Sequence, residues 1–600
     1  MSQFYDKSSL TFIPSGYRDG KLYSQKPLST DGELSFSRGS DIEATRVNAN
    51  GYIEKAQVNL LLQSNTYSNA TWVKGTGGTG VSVTGGQSGY DGTSDAWLLA
   101  KNAAVEAMNQ SISTSGVQTL SIYAKAGTLN WLRLGLGGGT FSSAYFDLQN
   151  GALGASISNI VTSKIEAIGG GWYRCSVVCN KAVNAIYVYP ADGDGDTSGT
   201  SGNIYIQDAQ LNYGLVAQTY QETTTAAVVS GITDNMPRLN YDPANPTCPS
   251  LLLEGSRNNG NDHSEYFGGT GFGIVAATQT PNAATSPEGV NNATSFVGSA
   301  SKAEHIIYTN GSSTYNGATT ISIFAKANGY DYFVLGAGAQ SLNKPVLFNI
   351  ANGTKVGNFT GWSSYGAPID SDIEDYGNGW YRLSVTFDAT SGVNTNMFFG
   401  SLPTDSVASG ANSSTQNGTD GSYIYGAQIE SGSYMTSMIP TYGASATRTS
   451  ESASKTSATA IIGQTEGTFF VEVDFTDTNA DQMYLTISDG TSNNRIHIGF
   501  DNTSNWLYLN VRSGGAPQAT ITQSSPSAGI KKIAVGYKLN DYVLYINGVQ
   551  VGVDTSALVP ACSRLNVGGY FGAGFEYPVK QALLFTSRLP NSDLATLTSL

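Results

Sequence analysis

The chain contains one sequence pattern twice, in the same order and at an offset of roughly 200 residues, which is the signature of a duplicated structural unit. Four segments of the first copy have a counterpart in the second: TLSIYAKAG and TISIFAKANG, FDLQNG and FNIANG, GGGWYRCSV and GNGWYRLSV, and IYIQDAQL and YIYGAQIE. The first pair begins at Thr119 and Thr320. Because both copies must form the same compact unit, any fold proposed for one must also suit the other.

Each repeated segment alternates apolar and polar residues between Gly, Asn and Asp, a pattern that predicts β-strands buried on one face. In LSIYAKA, for example, Leu120, Ile122 and Ala124 fall on the same face. The pairs Asn150-Gly151 and Asn352-Gly353 predict tight hairpin turns and therefore antiparallel strands. With 71 glycines and only 13% charged residues, the chain has the composition of short strands joined by turns. We predict an all-β protein whose repeats are antiparallel jelly-roll sandwiches.

The 600 residues allow several domains, at roughly 100–200 residues per domain. We assign residues 51–230 to the first copy and residues 238–448 to the second. A linker rich in Ser, Thr and Ala follows, and residues 461–600 form a different sandwich with its own alternating strands. Residues 1–50 are too short and irregular for a domain, so we expect an extended arm that gains order by docking on another subunit.

The residues of these units carry a family resemblance. The last unit resembles concanavalin-like lectin or laminin-G sandwiches, in which a strand ends as Tyr545–Gly548 does here; Leu589–Leu594 is a looser match to the closing segment. The two copies are similar to jelly-roll carbohydrate-binding-like modules of bacteriophage virion proteins. Both contain Gly-Trp-Tyr-Arg, and the second has the typical ending in Gly426–Glu430 and Ser437–Thr441. The first copy departs from it, because residues 207–212 lack the Gly and the Glu.

The resemblance implies a structural virion protein, namely a head or tail fibre or a decoration protein that attaches to host or environmental glycans. The N-terminal arm would then anchor the chain to other virion proteins, and the sandwiches would lie on the particle surface after assembly in the cytoplasm of a bacterial host. A homo-oligomer is expected, with a trimer as the favoured design. Two alternatives stay open: a tail-spike-type polysaccharide depolymerase, and a purely structural decoration protein without a ligand.

Two classes of partner are disfavoured by the composition. The net charge of −14 would repel a phosphate backbone, so we predict that the protein does not bind nucleic acid. Because no run reaches the roughly 18 apolar residues of a membrane helix, we expect no membrane insertion.

Sugar binding requires an aromatic ring face with hydrogen-bonding side chains beside it. Trp131 and Tyr332 occupy equivalent places in the two copies, and Trp172 and Trp380 open equivalent strands. These four residues are the candidate carbohydrate-binding residues. The alternative for each is packing within the sandwich.

Neither a catalytic group nor a firm metal site emerges from the sequence. The densest acidic stretch, residues 370–375, has no second carboxylate predicted across a groove, so we predict that the protein is not an enzyme. Asp192, Asp194 and Asp196 alternate with glycine, which suits calcium. However, Thr197 and Asn203 stand where an EF-hand loop has Gly and Glu. Calcium is thus the one candidate cofactor, and a Gly-rich turn is the alternative.

Overall fold

The computed structural model describes residues 2–309, 315–338, 345–358, 368–389, 396–405, 413–475, 481–569 and 578–599. Within these ranges the chain is almost entirely β-strand, and the strands pair antiparallel. The described α-helices are Ser2–Lys7 and Asn591–Ser599, with short 3₁₀ turns at Thr30–Gly32 and Thr76–Gly78. Neither α-helix has the length and apolar character needed to cross a membrane. The predicted all-β class with antiparallel sandwiches is confirmed.

The first module is a sandwich of two six-stranded sheets. In spatial order, its first sheet comprises Ile160–Gly169, Trp172–Asn180, Val117–Ala126, Asn203–Tyr213, Ala96–Lys101 and Val81–Gln87. Its second sheet comprises Ala152–Ile157, Ser142–Asp147, Trp131–Leu136, Val183–Ala191, Met108–Thr114 and Val73–Lys74.

The second module repeats this topology strand for strand. The first sheet comprises Asp370–Asp375, Tyr381–Ala389, Gly317–Asn328, Gly421–Ser431, Ala293–Gly298 and Ala277–Ala284. The second sheet comprises Thr354–Asn358, Val346–Asn349, Tyr332–Gly338, Asn396–Leu402, Ile306–Thr309 and Phe272–Val275. Because the strand order is the same, each strand of one module has an equivalent strand in the other.

The alternation seen in the sequence places the core between the two sheets of each module. Leu120 and Ile122 are fully buried in the first core, and Ile321 and Ile323 are fully buried at the same positions of the second. Removing such side chains from water is the main source of stability for a sandwich of this kind.

The predicted hairpin turns are present in two forms. At Asn547-Gly548 both residues have positive φ, 48° and 83°, as a two-residue turn requires. At the Asn-Gly pairs of the repeats, only the glycines Gly151 (65°) and Gly353 (70°) have positive φ, because the strands are joined by longer loops at 148–151 and 350–353.

The third sandwich is built from distant parts of the chain. One sheet comprises Arg238–Asn240, Ser250–Leu252, Val579–Phe585, Glu466–Phe475, Gly529–Lys538, Asp541–Ile546 and Val549–Asp554, and Leu10–Phe12 also pairs with Val579–Phe585. The other comprises Gly16–Arg18, Lys21–Tyr23, Glu33–Ser37, Ser452–Lys455, Arg564–Val567, Gln482–Ser488, Arg495–Asp501, Trp506–Ser513 and Ala516–Ser524. The remaining strands form short two-stranded ladders: Thr45–Val47 with Ile53–Lys55, Gln57–Asn59 with Val228–Ser230, Arg257–Asn259 with Ala446–Arg448, and Lys302–Glu304 with Ser413–Thr415.

The N-terminal segment differs from the arm expected for residues 1–50. Its backbone is extended, but its strands pair within this chain, and Leu10, Phe12, Leu34 and Phe36 are buried in the core of the third sandwich. Burial of these apolar side chains within the same chain orders the segment, whereas we expected docking on another subunit to order it. Residues 238–252, placed with the second copy by the sequence, likewise belong to a sheet of the third sandwich.

Five buried charged residues join the segments that enter and leave the second module. Glu451 accepts hydrogen bonds from Arg38 Nη1 and Arg238 Nε, both at 2.8 Å. Glu254 lies 2.6 Å from Arg238 and 2.9 Å from Arg448. We call this set the central ion network.

A second buried charge cluster lies where the first two modules meet. Lys55 Nζ lies 2.6 Å from Glu265 and also pairs with Glu288. The ring of Tyr442, at 5.9 Å from Lys55, stacks on Tyr213 of the first module at 5.3 Å. We call Lys55, Glu265 and Glu288 the inter-module cluster.

Candidate functional site

The outer face of the second sheet of the first module carries aromatic rings around one arginine. The strand Trp131–Leu136 alternates, so that Leu132 and Leu134 enter the core while Arg133 points outward. Arg133 lies opposite Tyr145 on one neighbouring strand and Tyr189 on the other. We define the aromatic–arginine face as Trp131, Arg133, Phe141, Tyr145, Tyr187 and Tyr189.

The guanidinium of Arg133 is held among three rings. Its central carbon lies 4.9 Å from the ring centroid of Tyr189, 5.0 Å from that of Phe141 and 5.3 Å from that of Tyr145. Its Nε donates to Ser143 Oγ at 3.0 Å, while Nη1 and Nη2 have no hydrogen-bond partner among the described residues. The rings thus fix the position of a cation whose remaining donors point to solvent or to a ligand.

The rings also contact one another. Tyr187 and Tyr189 stack at 6.1 Å with an interplanar angle of 20°, and Phe141 meets Tyr187 edge-on at 5.4 Å. Phe141 lies over Gly135, where a Cβ would stand 2.4 Å from Cζ of the ring. The missing side chain at Gly135 lets the ring lie against the strand. Rings locked in this way lose little entropy when a ligand stacks on them.

Trp131 and Asp194 meet at one end of the face. A Cβ at Gly154 would lie 2.6 Å from Cζ3 of Trp131 and 2.4 Å from Oδ1 of Asp194, so both side chains cover this glycine. The loop that the sequence offered as a calcium site is therefore the rim of the aromatic–arginine face. An aromatic candidate and an acidic candidate, predicted separately, are brought together here.

The calcium site stays a prediction, and in the structure each of its three carboxylates already has a partner within the chain. Asp192 pairs with Lys101 at 2.6 Å, Asp194 accepts the amide of Ala155 at 2.6 Å, and Asp196 accepts the amide of Ser198 at 2.8 Å. Throughout the described ranges, no group of three or more His, Cys, Asp or Glu side chains is arranged to hold a metal. The exposed Asp194 and Asp196 are instead acceptors at the rim.

The protonation states favour hydrogen bonding to hydroxyl groups. Burial raises the pKa of Tyr145 and of Tyr189, although the charge of Arg133 opposes the shift, so both phenols remain O–H donors at neutral pH. Hydrogen bonds from Ser198 lower the pKa of Asp196, which stays ionised. The face therefore offers donors at its centre and acceptors at its rim.

The same face of the second module is an apolar cluster that includes the ring of Phe398 and has no arginine. Val334 occupies the position of Arg133, with Leu347 in place of Tyr145 and Gly400 in place of Tyr189. Tyr332, the candidate equivalent to Trp131, is half-buried and packs against this apolar cluster. The second copy thus lacks the arginine and the two tyrosines that flank it.

Trp172 and Trp380 are packing residues. They are only 4% and 2% exposed and lie in small apolar clusters on the outer face of the first sheet of each module. The indole Nε1 of Trp380 donates to the carbonyl of Thr285 at 3.0 Å. Neither ring presents a face to a sugar, which is the alternative that the sequence left open.

Sequence reasoning missed Arg133, Tyr145, Tyr187 and Tyr189. A signal for Arg133 is present, because it alternates with the apolar residues Leu132 and Leu134. Comparison of WLRLG with YFVLG would have shown an arginine at an outward position that is valine in the second copy.

No protein-family model matches this chain, and no curated protein matches it by sequence. Solved structures that resemble part of it include the CBM40 of the Ruminococcus gnavus IT-sialidase bound to α2,3-sialyllactose, 17% identical over 24% of this chain and 86% of that chain, with a TM-score of 0.21. Domain 4 of AbnA, a GH43 extracellular arabinanase from Geobacillus stearothermophilus in complex with arabinotriose, is 14% identical over 25% and 73%, with a TM-score of 0.21. The Caenorhabditis elegans galectin LEC-6 is 12% identical over 22% and 88%, with a TM-score of 0.18.

Proposed function

We propose that the first module binds carbohydrate through the aromatic–arginine face. The ring of Trp131 and the half-exposed rings of Phe141 and Tyr187 suit the apolar faces of pyranose rings. The Nη groups of Arg133 and the phenols supply donors to sugar hydroxyls, and Asp194 and Asp196 supply acceptors. Both requirements of a sugar site, stacking and polar orientation, are then met on one sheet face.

The observation that carries this proposal is the placement of Arg133 among three aromatic rings with its Nη groups unpaired. If Arg133 served only to pack the rings, its Nη groups would be expected to have hydrogen-bond partners, because an unsatisfied charged donor is costly away from solvent. The second module folds with valine at this position, so the sandwich itself does not need the arginine.

The test is binding of the full chain to a glycan array, followed by calorimetric titration of the glycans that bind. We expect Tyr187→Ala to weaken binding about tenfold, because loss of an aromatic anchor costs more than about 1 kcal/mol. Tyr332→Ala on the second module is the matched control and should leave the affinity unchanged. Equal losses in both variants, or no loss in either, would contradict a site on the aromatic–arginine face.

We further propose that the protein acts as a binding component on the surface of a virus particle, a fibre or decoration protein. The support is the resemblance of the repeats, with Trp172–Arg174 and Trp380–Arg382, to modules of phage virion proteins. Because residues 10–37 belong to the third sandwich, attachment to other virion proteins would use that sandwich rather than a free arm. Trimeric assembly is part of this proposal.

Mass spectrometry of purified particles and light scattering of the isolated protein test this role. The expected results are the chain in the particle and a trimeric mass in solution. Release of reducing ends from a bound polysaccharide would instead favour the depolymerase. If the particles need the protein for integrity and the protein binds no glycan on the array, a structural decoration without a ligand is favoured.

A further inference from the structure

A separate cleft of about 500 Å³ opens beside the first sheet of the second module. It lies between that sheet, the N-terminal segment, the strand before the module and the loop after its last strand. This volume lies in the range of small-molecule sites, roughly 300–1,000 Å³. The residues that matter for its chemistry are Arg46, Asp372, Ser384, Arg382, Tyr434 and Met435.

Asp372 supplies a carboxylate to the wall of this cleft. It lies opposite Ser384 in the antiparallel pair formed by Asp370–Asp375 and Tyr381–Ala389, and its side chain is exposed. One carboxylate oxygen accepts the amide of Ile373 at 2.8 Å. No described Lys, Arg or His side chain pairs with it. Asp372 is therefore available to a cation that enters the cleft.

The cationic residues that line the cleft are already engaged. Arg46 pairs with Glu54 at 2.9 Å. Arg382 is buried, lies over the ring of Phe324 at 5.2 Å and donates to Ser322 at 3.2 Å. Neither guanidinium compensates Asp372 directly, so its negative charge faces the interior of the cleft.

The loop side of the cleft offers apolar and polarisable surface. Tyr434 and Met435 are half-buried in the loop that follows the last strand of the second module. The ring of Tyr434 already attracts one cation, the guanidinium of Arg257, at 4.9 Å. Aromatic and thioether groups suit the carbon atoms next to an ammonium group.

We propose that this cleft binds a primary ammonium group carried on a small carbon skeleton, as in an amino sugar or a diamine. The ammonium pairs with Asp372, and the hydroxyl of Ser384 accepts a further hydrogen bond from it. The carbon skeleton lies against Tyr434 and Met435. The site is distinct from the aromatic–arginine face and does not depend on it.

The duplication supplies an internal comparison for Asp372. The equivalent position of the first module is Lys164, which lies opposite Ser176 just as Asp372 lies opposite Ser384. Lys164 pairs with Glu166 at 2.5 Å. The fold therefore accepts either charge at this position, and Asp372→Lys introduces a residue that the repeat already carries.

The experiment is calorimetric titration of the full chain at low ionic strength with glucosamine and, separately, with putrescine. N-acetylglucosamine, which lacks the ammonium, is the neutral probe. We expect at least one amine to bind, with affinity lowered about tenfold or more in Asp372→Asn, because a charge-assisted hydrogen bond is lost. Asp372→Lys should abolish binding, while Lys164→Asp in the first module should leave it unchanged. The amine that binds more tightly indicates whether the ammonium group belongs to an amino sugar or to a diamine.

Four results would overturn the proposal. The first is no binding of either amine at about 10 mM, a concentration that would reveal even a millimolar site. The second is equal binding of N-acetylglucosamine and glucosamine. The third is unchanged amine affinity in both Asp372 variants, each shown to be folded by its thermal transition. Loss of amine binding in Lys164→Asp would equally place the site elsewhere.

Discussion

At the scale of single residues, Asp208 shows how the two copies have diverged at one backbone position. In the second module this position is Gly426 with φ of 64°, and in the first it is Asp208 with φ of 54°. Asp is among the few residues that adopt this region without prohibitive strain. The side chain is buried and accepts a hydrogen bond from Tyr90 at 2.9 Å. Burial raises the pKa of Asp208 to about 6.

The raised pKa predicts that ionised Asp208 lowers the stability of the fold at high pH, and that Asp208→Asn removes this loss. A carboxyl whose folded pKa lies above its unfolded value stabilises fully below about pH 4, and this stabilisation is lost as the pH rises through about 6. The variant should match the wild type near pH 4 and exceed it by about 1–3 kcal/mol at pH 8. Hydrogen exchange in the strand Asn203–Tyr213 reports the opening free energy of this module.

Asp91→Asn is the control of opposite sign. Hydrogen bonds from Thr93 lower the pKa of Asp91, so its contribution is present at neutral pH and lost as the pH falls. That variant should be less stable than the wild type at pH 7 and approach it in acid. A pH-independent difference in Asp208→Asn would contradict the assigned pKa.

At the scale of elements, local pattern predicted the strands, but it did not predict their distant partners. The alternation of Leu34 and Phe36 in ELSFS is that of a half-buried strand. The partner strand begins at Ser452, and Phe36 pairs with Ala453. A single sequence does not show a pairing across more than 400 residues. The alternation of a strand indicates which face is buried, but it does not indicate which strand lies beside it.

The candidate site was predictable to the same degree. Trp131 was identified from its place in the repeat, and the loop with Asp194 from its acidic pattern. Their meeting over Gly154 depends on strand order, which the sequence leaves open. Arg133 was passed over because one arginine in an alternating strand is normally solvated, and only the neighbouring strands place rings around it.

Phe36→Ala tests whether the N-terminal strands belong to the third sandwich. Truncating this buried ring should cost about 3–5 kcal/mol and raise hydrogen exchange in Ser452–Lys455 and Arg564–Val567. Exchange in the two repeated modules should stay unchanged. Ser35→Ala, on the exposed face of the same strand, should have no effect. A segment that served only as an arm would show no change in exchange at Arg564–Val567.

At the scale of the whole molecule, the central ion network holds together segments far apart in the chain. Arg38 precedes the first module, Arg238 and Glu254 lie before the second, and Arg448 and Glu451 follow it. The nearby arginines lower the pKa of Glu254 to about 2 against the effect of burial. Its stabilising contribution is therefore present above about pH 4.5 and lost as the pH falls towards 2.

Glu451→Gln should weaken the packing of these segments against one another. The substitution removes the charge that compensates Arg38 and Arg238, and a buried pair broken at one partner costs about 3–5 kcal/mol. Faster exchange is expected in both Glu33–Ser37 and Arg238–Asn240. Glu466→Gln, which breaks the exposed pair with Lys538, should cost less than about 1 kcal/mol. Similar costs in the two variants would show that the network contributes no more than a surface pair.

The inter-module cluster responds to pH in the opposite direction. Burial and the charge of Glu265 raise the pKa of Glu288 to about 7, although Lys55 lowers it, and Tyr425 donates a hydrogen bond to the same carboxylate. The contact between the first two modules is thus strongest while Glu288 is protonated, and it weakens as the pH rises through about 7.

Glu288→Gln fixes the neutral state and keeps an oxygen for the hydroxyl of Tyr425. Hydrogen exchange across Ile53–Lys55 and residues 286–292 should increase between pH 6 and 8 in the wild type, after correction for the intrinsic rate, and stay level in the variant. Small-angle scattering over the same range should show the wild type alone becoming more extended. A level wild-type profile would mean that Lys55 keeps Glu288 ionised throughout, and the modules would then keep one arrangement over this pH range.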